Sequence, residues 1–177
     1  MTAAQRLWAA CAMEAAGRAQ LAGAPIVPVI AAAMACLESR YGQSGLAQRA
    51  CNLLGVKAGR KWTGATITMP TREWVAERTE DGVTVPGHWI TVAAHWRCYP
   101  SMTACFADFG AIVARLPWYA DARAAALRDD ANGFLAGLMA DPHGPGRADD
   151  EPGWATDPAY EQKVRAVADA ILDEVVA

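Results

Sequence analysis

The stretch from Val29 to Gly42 constrains this chain more than any other. It opens with Val-Ile-Ala-Ala-Ala-Met-Ala-Cys and then carries a single carboxylate, Glu38, before a glycine. Val29, Ala33 and Leu37 recur four apart, and Ile30 and Met34 widen the same face, which predicts a buried helix. Gly42 supplies its C-terminal stop. A carboxylate at the edge of an apolar helix face is costly to desolvate when charged, so its neutral form is favoured and its pKa rises. A general acid working near neutral pH needs that property. The competing reading is a carboxylate that faces solvent at a helix end.

Around this helix the 177-residue chain has enough apolar material for one compact domain, 1–177, with 53% hydrophobic residues. The formal net charge of −3 argues against a general nucleic-acid binder and gives no reason to adhere to an anionic membrane surface. No apolar run reaches the length of a membrane span, so no membrane insertion is expected. Near the N-terminus, Glu14 and Arg18 interrupt what would be the apolar core of a signal peptide. The five cysteines (Cys11, Cys36, Cys51, Cys98, Cys105) form no Cys-x-x-Cys pair, and His88, His95 and His143 are scattered, so neither a metal site nor a cofactor is expected. Small buried thiols are one reading of these cysteines; disulfides formed in an oxidising compartment are the other.

In chain order, residues 3–21 predict a helix with Leu7, Cys11, Ala15 and Trp8 on its inner face. Pro28 suits the first turn of the helix that carries Glu38. Residues 43–52 read as a polar turn. Within residues 65–97, Thr66-Ile67-Thr68-Met69 and His88-Trp89-Ile90-Thr91-Val92 alternate and β-branched and aromatic side chains cluster, with turn signals at Asp81-Gly82 and Pro86-Gly87, predicting a small antiparallel lobe of two or three strands. Ser101 is placed to cap a helix whose inner face holds Cys105, Phe109, Ile112, Val113 and Leu116, ended by Pro117. Residues 119–140 predict more helix, broken near Asn132-Gly133. Residues 141–153, with three prolines and three glycines, predict an irregular loop. Thr156 or Asp157 would cap a last helix starting near Pro158, with Val164, Val167, Ala168, Ile171 and Val175 buried. The fold class is α+β, mainly α.

Several short motifs stand in a fixed order: Leu37-Glu38-Ser39-Arg40-Tyr41-Gly42, then Asn52-Leu53-Leu54-Gly55-Val56-Lys57-Ala58, Trp62-Thr63-Gly64, Thr71-Arg72-Glu73-Trp74, Arg97-Cys98-Tyr99-Pro100-Ser101 and Trp154-Ala155-Thr156-Asp157-Pro158-Ala159-Tyr160. Together they resemble the glucosaminidase family of peptidoglycan hydrolases, which includes flagellar-rod-associated domains and bacterial autolysins. The resemblance covers most of the chain. It implies a lysozyme-like helical core with a small β lobe flanking an active-site cleft, and hydrolysis of the β-1,4 bond between N-acetylglucosamine and N-acetylmuramic acid. It carries the general acid onto Glu38 and a second functional carboxylate onto Glu73, with Glu77, Glu80 and Asp81 as neighbouring competitors.

For substrate binding the same resemblance, with the need of sugar clefts for flat apolar faces, points to Tyr41, Asn52, Trp62, Trp74, Trp154 and Tyr160. An Asx-type turn is the alternative for Asn52. The chain departs from the family at Trp154, where a tyrosine is usual, at Tyr41, where a tryptophan is usual, and at Arg40, where a glycine is usual. The expected partner is the peptidoglycan glycan strand, with a cognate inhibitor protein in the cleft as a second. Made in the cytoplasm without a signal peptide, such an enzyme would reach a periplasm or cell wall as a phage lysin or an injected toxin. A muramidase cleaving the opposite bond and a non-catalytic wall-binding protein are the rival readings.

Overall fold

The computed structural model of the chain describes residues 1–75, 77–80, 83–140, 154, 157 and 159–176. Helix α1 (Ala3–Leu21) starts at a capping box, in which the Thr2 hydroxyl accepts from the Gln5 amide and the Gln5 side chain accepts in return from the Thr2 amide. Its buried face is Ala9, Ala12, Ala15, Ala16 and Ala19. This corrects the expectation that Leu7 and Cys11 point inward: Leu7 is 69% exposed and Cys11 is exposed. A stripe of methyl groups lets the backbone approach its neighbours closely, and larger side chains on the same face would hold them apart.

Helix α2 (Pro28–Ser39) begins with proline in its first turn, as expected. Residues 29–36 are all buried, because α1, α6 and α7 enclose the helix. A helix apolar on every side belongs in the centre of a domain. It ends in an unusual run: Arg40, Tyr41 and Gly42 have φ of 52°, 54° and 77°. The Ser39 hydroxyl donates to the Ala35 carbonyl at 2.5 Å and accepts from the Gly42 amide at 2.8 Å, closing that turn. The Trp8 indole presses against it so closely that a Cβ on Gly42 would lie 2.1 Å from Trp8 Nε1.

The segment read as a polar turn contains a short helix, α3 (Gly45–Ala50), capped by the Ser44 hydroxyl. Its polar side chains face outward and only Ala50 is buried, so the helical signal rests on the cap rather than on an apolar stripe.

The β lobe is antiparallel as expected, but its described residues form four strands in two pairs rather than two or three strands. Strand β1 (Thr66–Val75) pairs with β4 (His88–Arg97), from Thr66 opposite Arg97 to Val75 opposite His88. Strands β2 (Arg78–Glu80) and β3 (Val83–Val85) pair with each other. On β4, Ile90, Val92, Ala94 and Trp96 are half-buried while Thr91, Ala93 and His95 face water, the period-two pattern of a one-sided sheet.

Helix α4 (Met102–Arg115) is capped by Ser101 and buries Cys105, Phe106, Phe109, Ile112 and Val113. Pro117 ends it and opens a single 3-10 turn, Pro117–Tyr119. The break in the following helical segment comes earlier than expected. Helix α5 (Ala120–Ala126) stops before a turn through Asp129 at φ 53°, and α6 (Ala131–Met139) starts at Asp130, whose carboxylate accepts from the Gly133 amide. Gly133 therefore sits inside α6, satisfying the cap, while Gly137 lets α5 pack so close that a Cβ there would be 2.4 Å from the Ala122 amide nitrogen. Helix α7 (Tyr160–Val176) buries Val164, Ala168 and Ile171. The loop expected at 141–153 lies outside the described residues.

Candidate active site

Where α2 ends, five other parts of the chain converge on Glu38. A cleft of about 420 Å³ is lined by Glu38, by Leu54, Gly55 and Val56 from the turn after α3, by Trp96 from β4, by Ile112 from α4, and by Tyr119 and Trp154. The fold holds each wall in place. Two carbonyls at the end of α4, those of Val113 and Leu116, accept from the Arg123 guanidinium at 2.9 and 2.8 Å, which fixes the turn bearing Tyr119. The Trp154 amide donates to Leu138 on α6 at 3.0 Å, and its indole meets Phe109 edge-on with ring centres 4.8 Å apart. Flat apolar walls around one carboxylate are suited to a carbohydrate chain, whose rings present CH faces and whose bridging oxygens accept protons.

Glu38 keeps an exposed face toward the cleft, yet the packed walls around it displace much of the surrounding water. That desolvation raises its carboxyl above the usual range, and the Tyr160 hydroxyl opposes the rise. Tyr160, in the first turn of α7, is itself 6% exposed. Burial, followed by the Glu38 charge, pushes its own pKa upward. Among the described residues its hydroxyl makes no hydrogen bond of normal geometry, so its influence on Glu38 is that of a nearby dipole.

Beside the cleft, Arg97 is held on one side by Asp108, with contacts of 2.9 and 2.6 Å to its two oxygens. Asp108 also accepts from the Tyr99 hydroxyl at 2.7 Å. The Arg97 guanidinium lies 4.6 Å from the Trp62 ring centre.

A family model described as mannosyl-glycoprotein endo-beta-N-acetylglucosaminidase matches residues 15–172. The chain belongs to the glucosaminidase family. The fold is shared with solved members of this architecture. The catalytic domain of the autolysin Auto from Listeria monocytogenes superposes with a TM-score of 0.70 at 22% identity, over 97% of this chain and 86% of that one. A C-terminally truncated glycoside hydrolase domain from Salmonella typhimurium FlgJ gives 0.67 at 24% identity, over 96% and 98%. The peptidoglycan hydrolase from Sphingomonas sp. A1 gives 0.66 at 23% identity, over 97% and 93%. No curated protein matches the chain in sequence.

Within this glucosaminidase fold the sequence-derived site residues fall into three groups. Glu38 and Trp154 line the cleft together. Glu73 and Trp74 lie on β1 opposite Ile90 and Trp89 of β4. Trp62 lines an adjoining pocket instead of the cleft.

Asn52 and Tyr160 are too buried to meet a substrate directly. Asn52 is 1% exposed, and its amide is fully engaged with the backbone: Nδ2 donates to the Val56 and Arg97 carbonyls at 2.9 Å each, and Oδ1 accepts from the Val56 amide at 3.0 Å. It clamps the 52–56 turn onto the end of β4, and its burial keeps it from a sugar. Tyr160 is buried behind Glu38, not open to the cleft. Tyr41 is half-buried against Trp8, edge-on with ring centres 6.2 Å apart.

The sequence reading missed Trp96, Tyr119 and Ile112 as cleft walls. Trp96 falls on the half-buried parity of β4, a signal readable once the strand is placed; nothing local marks Tyr119. All five cysteines are free thiols, and burial pushes those of Cys36 and Cys105 up to about 12, which leaves both unreactive. Among the described residues no cluster of three metal-ligating side chains exists, and no helix is long and apolar enough to cross a membrane.

Proposed function

We propose that this glucosaminidase hydrolyses the β-1,4 bond between N-acetylglucosamine and N-acetylmuramic acid in peptidoglycan, with Glu38 as its general acid. The observation that carries this reading is the desolvated Glu38 carboxylate on an aromatic-lined cleft at the end of a buried helix. Protonated Glu38 gives its proton to the glycosidic oxygen as the bond from that oxygen to C1 breaks. Water then adds its hydroxyl to C1 and its second proton leaves to a base.

Glu73 is the candidate for the second role. It would take that proton in an inverting reaction, or orient the substrate's 2-acetamido group in a substrate-assisted one. Its position on β1, the strand paired with the Trp96 strand, supports a place on the lobe side of the cleft. Trp154, Trp96 and Tyr119 offer the stacking faces. The site of action in this reading is the cell wall.

The test is digestion of purified peptidoglycan, reduction of the products and mass spectrometry. Reduced N-acetylglucosamine ends are expected. Reduced muramic acid ends would assign the opposite bond, and absence of any product from folded protein would leave a binding role.

A further inference from the structure

Next to the catalytic cleft, and sharing Ile112 with it as a common wall, is a second cavity of about 240 Å³ lined by Lys61, Trp62, Arg97, Asp108 and Arg115. We propose that this cavity binds a carboxylate of the peptide branch that the glycan substrate carries, a subsite that rests on the peptidoglycan reading above.

The cavity is built rather than incidental. Asp108 neutralises Arg97 and is itself fixed by the Tyr99 hydroxyl, and both members of the ion pair are largely buried. Trp62, stacked on Arg97 and donating from Nε1 to the Ala65 carbonyl at 3.1 Å, forms a rigid floor. Against that neutral scaffold stand two exposed cations, Lys61 and Arg115. Neither side chain has an ion pair or hydrogen bond among the described residues.

The lining therefore carries three positive groups and one negative one, in a chain whose formal net charge is −3. A local excess of positive charge on an acidic protein selects an anion. The shared wall selects which anion: a group attached to the same polymer that occupies the cleft. The peptide branches of peptidoglycan end in carboxylates, which suit an Arg and a Lys facing one cavity. The lactyl carboxylate of a peptide-free muramic acid carries the same chemistry, and the test separates the two.

The experiment compares wild type with the Lys61→Ala/Arg115→Ala double variant on intact peptidoglycan and on strands stripped of peptide by an amidase. Removing two exposed cations that each pair with the substrate corresponds to a fall in kcat/KM of about five- to tenfold on intact wall. On stripped strands, which also serve as the control for folding, the variant is expected to match wild type. A fall of equal size on both substrates assigns the cations to the strand itself, and a fall confined to stripped strands assigns them to the lactyl carboxylate that the amidase frees; either overturns the proposal, and so does no fall on either.

Wild-type cleavage of the stripped strands reports the hydrolase reading by itself. If wild type cleaves neither substrate, co-sedimentation still decides the pocket: weaker binding of the variant confined to intact wall upholds it, and parity overturns it.

Discussion

The buried hydroxyl of Tyr160, in the first turn of α7, acts on the Glu38 carboxylate at the end of α2 without forming a normal hydrogen bond to it or to any other described group. Two helices distant in sequence thus set the proton affinity of one side chain. The arrangement gives Glu38 two opposing influences: the apolar walls favour its neutral form, and the Tyr160 dipole favours its charged form.

Removing only the hydroxyl separates these influences. In Tyr160→Phe the carboxyl loses the group that lowers its pKa, so that pKa rises further. A general acid works while protonated, and the basic limb of the kcat/KM profile therefore moves to higher pH. Stability is expected to change by less than about 1 kcal/mol, because the lost hydroxyl has no hydrogen bond of its own to forfeit. The check is a pH–rate profile beside a denaturant melt. A basic limb that stays in place would contradict the coupling.

Glu38 also links folding to pH. Its pKa is raised in the folded state. The stability it contributes is therefore fully present below its unfolded value, about 4.3, and is lost as pH rises through the folded value. Glu38→Gln, which cannot ionise, is expected to melt higher than wild type at pH 7, with the difference closing as pH falls toward about 4. Thermal denaturation across that range gives the answer; an equal gap at every pH would contradict it.

Gly42 is expected to tolerate no side chain. Its φ of 77° and the Trp8 indole 2.1 Å from a built Cβ combine two penalties. The left-handed backbone costs about 1–2 kcal/mol and the overpacking about 1–3 kcal/mol more. Gly42→Ala should lower the unfolding free energy accordingly, and Trp8→Ala in the same chain should return the overpacking part. Failure of the second change to recover anything would place the whole cost in the backbone.

Asn52 illustrates what a sequence conveys and what it hides. The motif Asn-Leu-Leu-Gly-Val-Lys-Ala was legible as a unit, and both a sugar contact and a turn could be read into its asparagine. Only the register of β4 reveals that the amide reaches Arg97, 45 positions away. Asn52→Ala takes from the Val56 amide its partner and from the Val56 and Arg97 carbonyls one donor each, the Val56 carbonyl keeping the Arg97 amide. It should cost about 1–3 kcal/mol and loosen the turn that carries Leu54–Val56 into the cleft. Unchanged stability in a denaturant titration would contradict the clamp.

Local signals were sufficient elsewhere. Pro28, Ser101 and Pro117 set helix boundaries through their own covalent chemistry, and the alternation of 88–92 placed the first half of β4. The inner face of α1 was not legible, because an alanine stripe is chosen by the closeness of neighbouring helices rather than by its own hydrophobicity. Glu38 was legible as an isolated carboxylate on an apolar helix. Tyr119 was not, since only the three-dimensional path after Pro117 turns it toward the cleft.

The most direct measurement is release of soluble fragments from purified peptidoglycan by wild type and by Glu38→Gln at matched concentration near neutral pH. Loss of a general acid of this kind removes about two to four orders of magnitude in rate. The expected result is steady release by wild type and release by Glu38→Gln at least about a hundredfold slower, with the variant folded and melting no lower than wild type. Comparable release by the two proteins would contradict the assignment of Glu38 as the group that protonates the glycosidic oxygen.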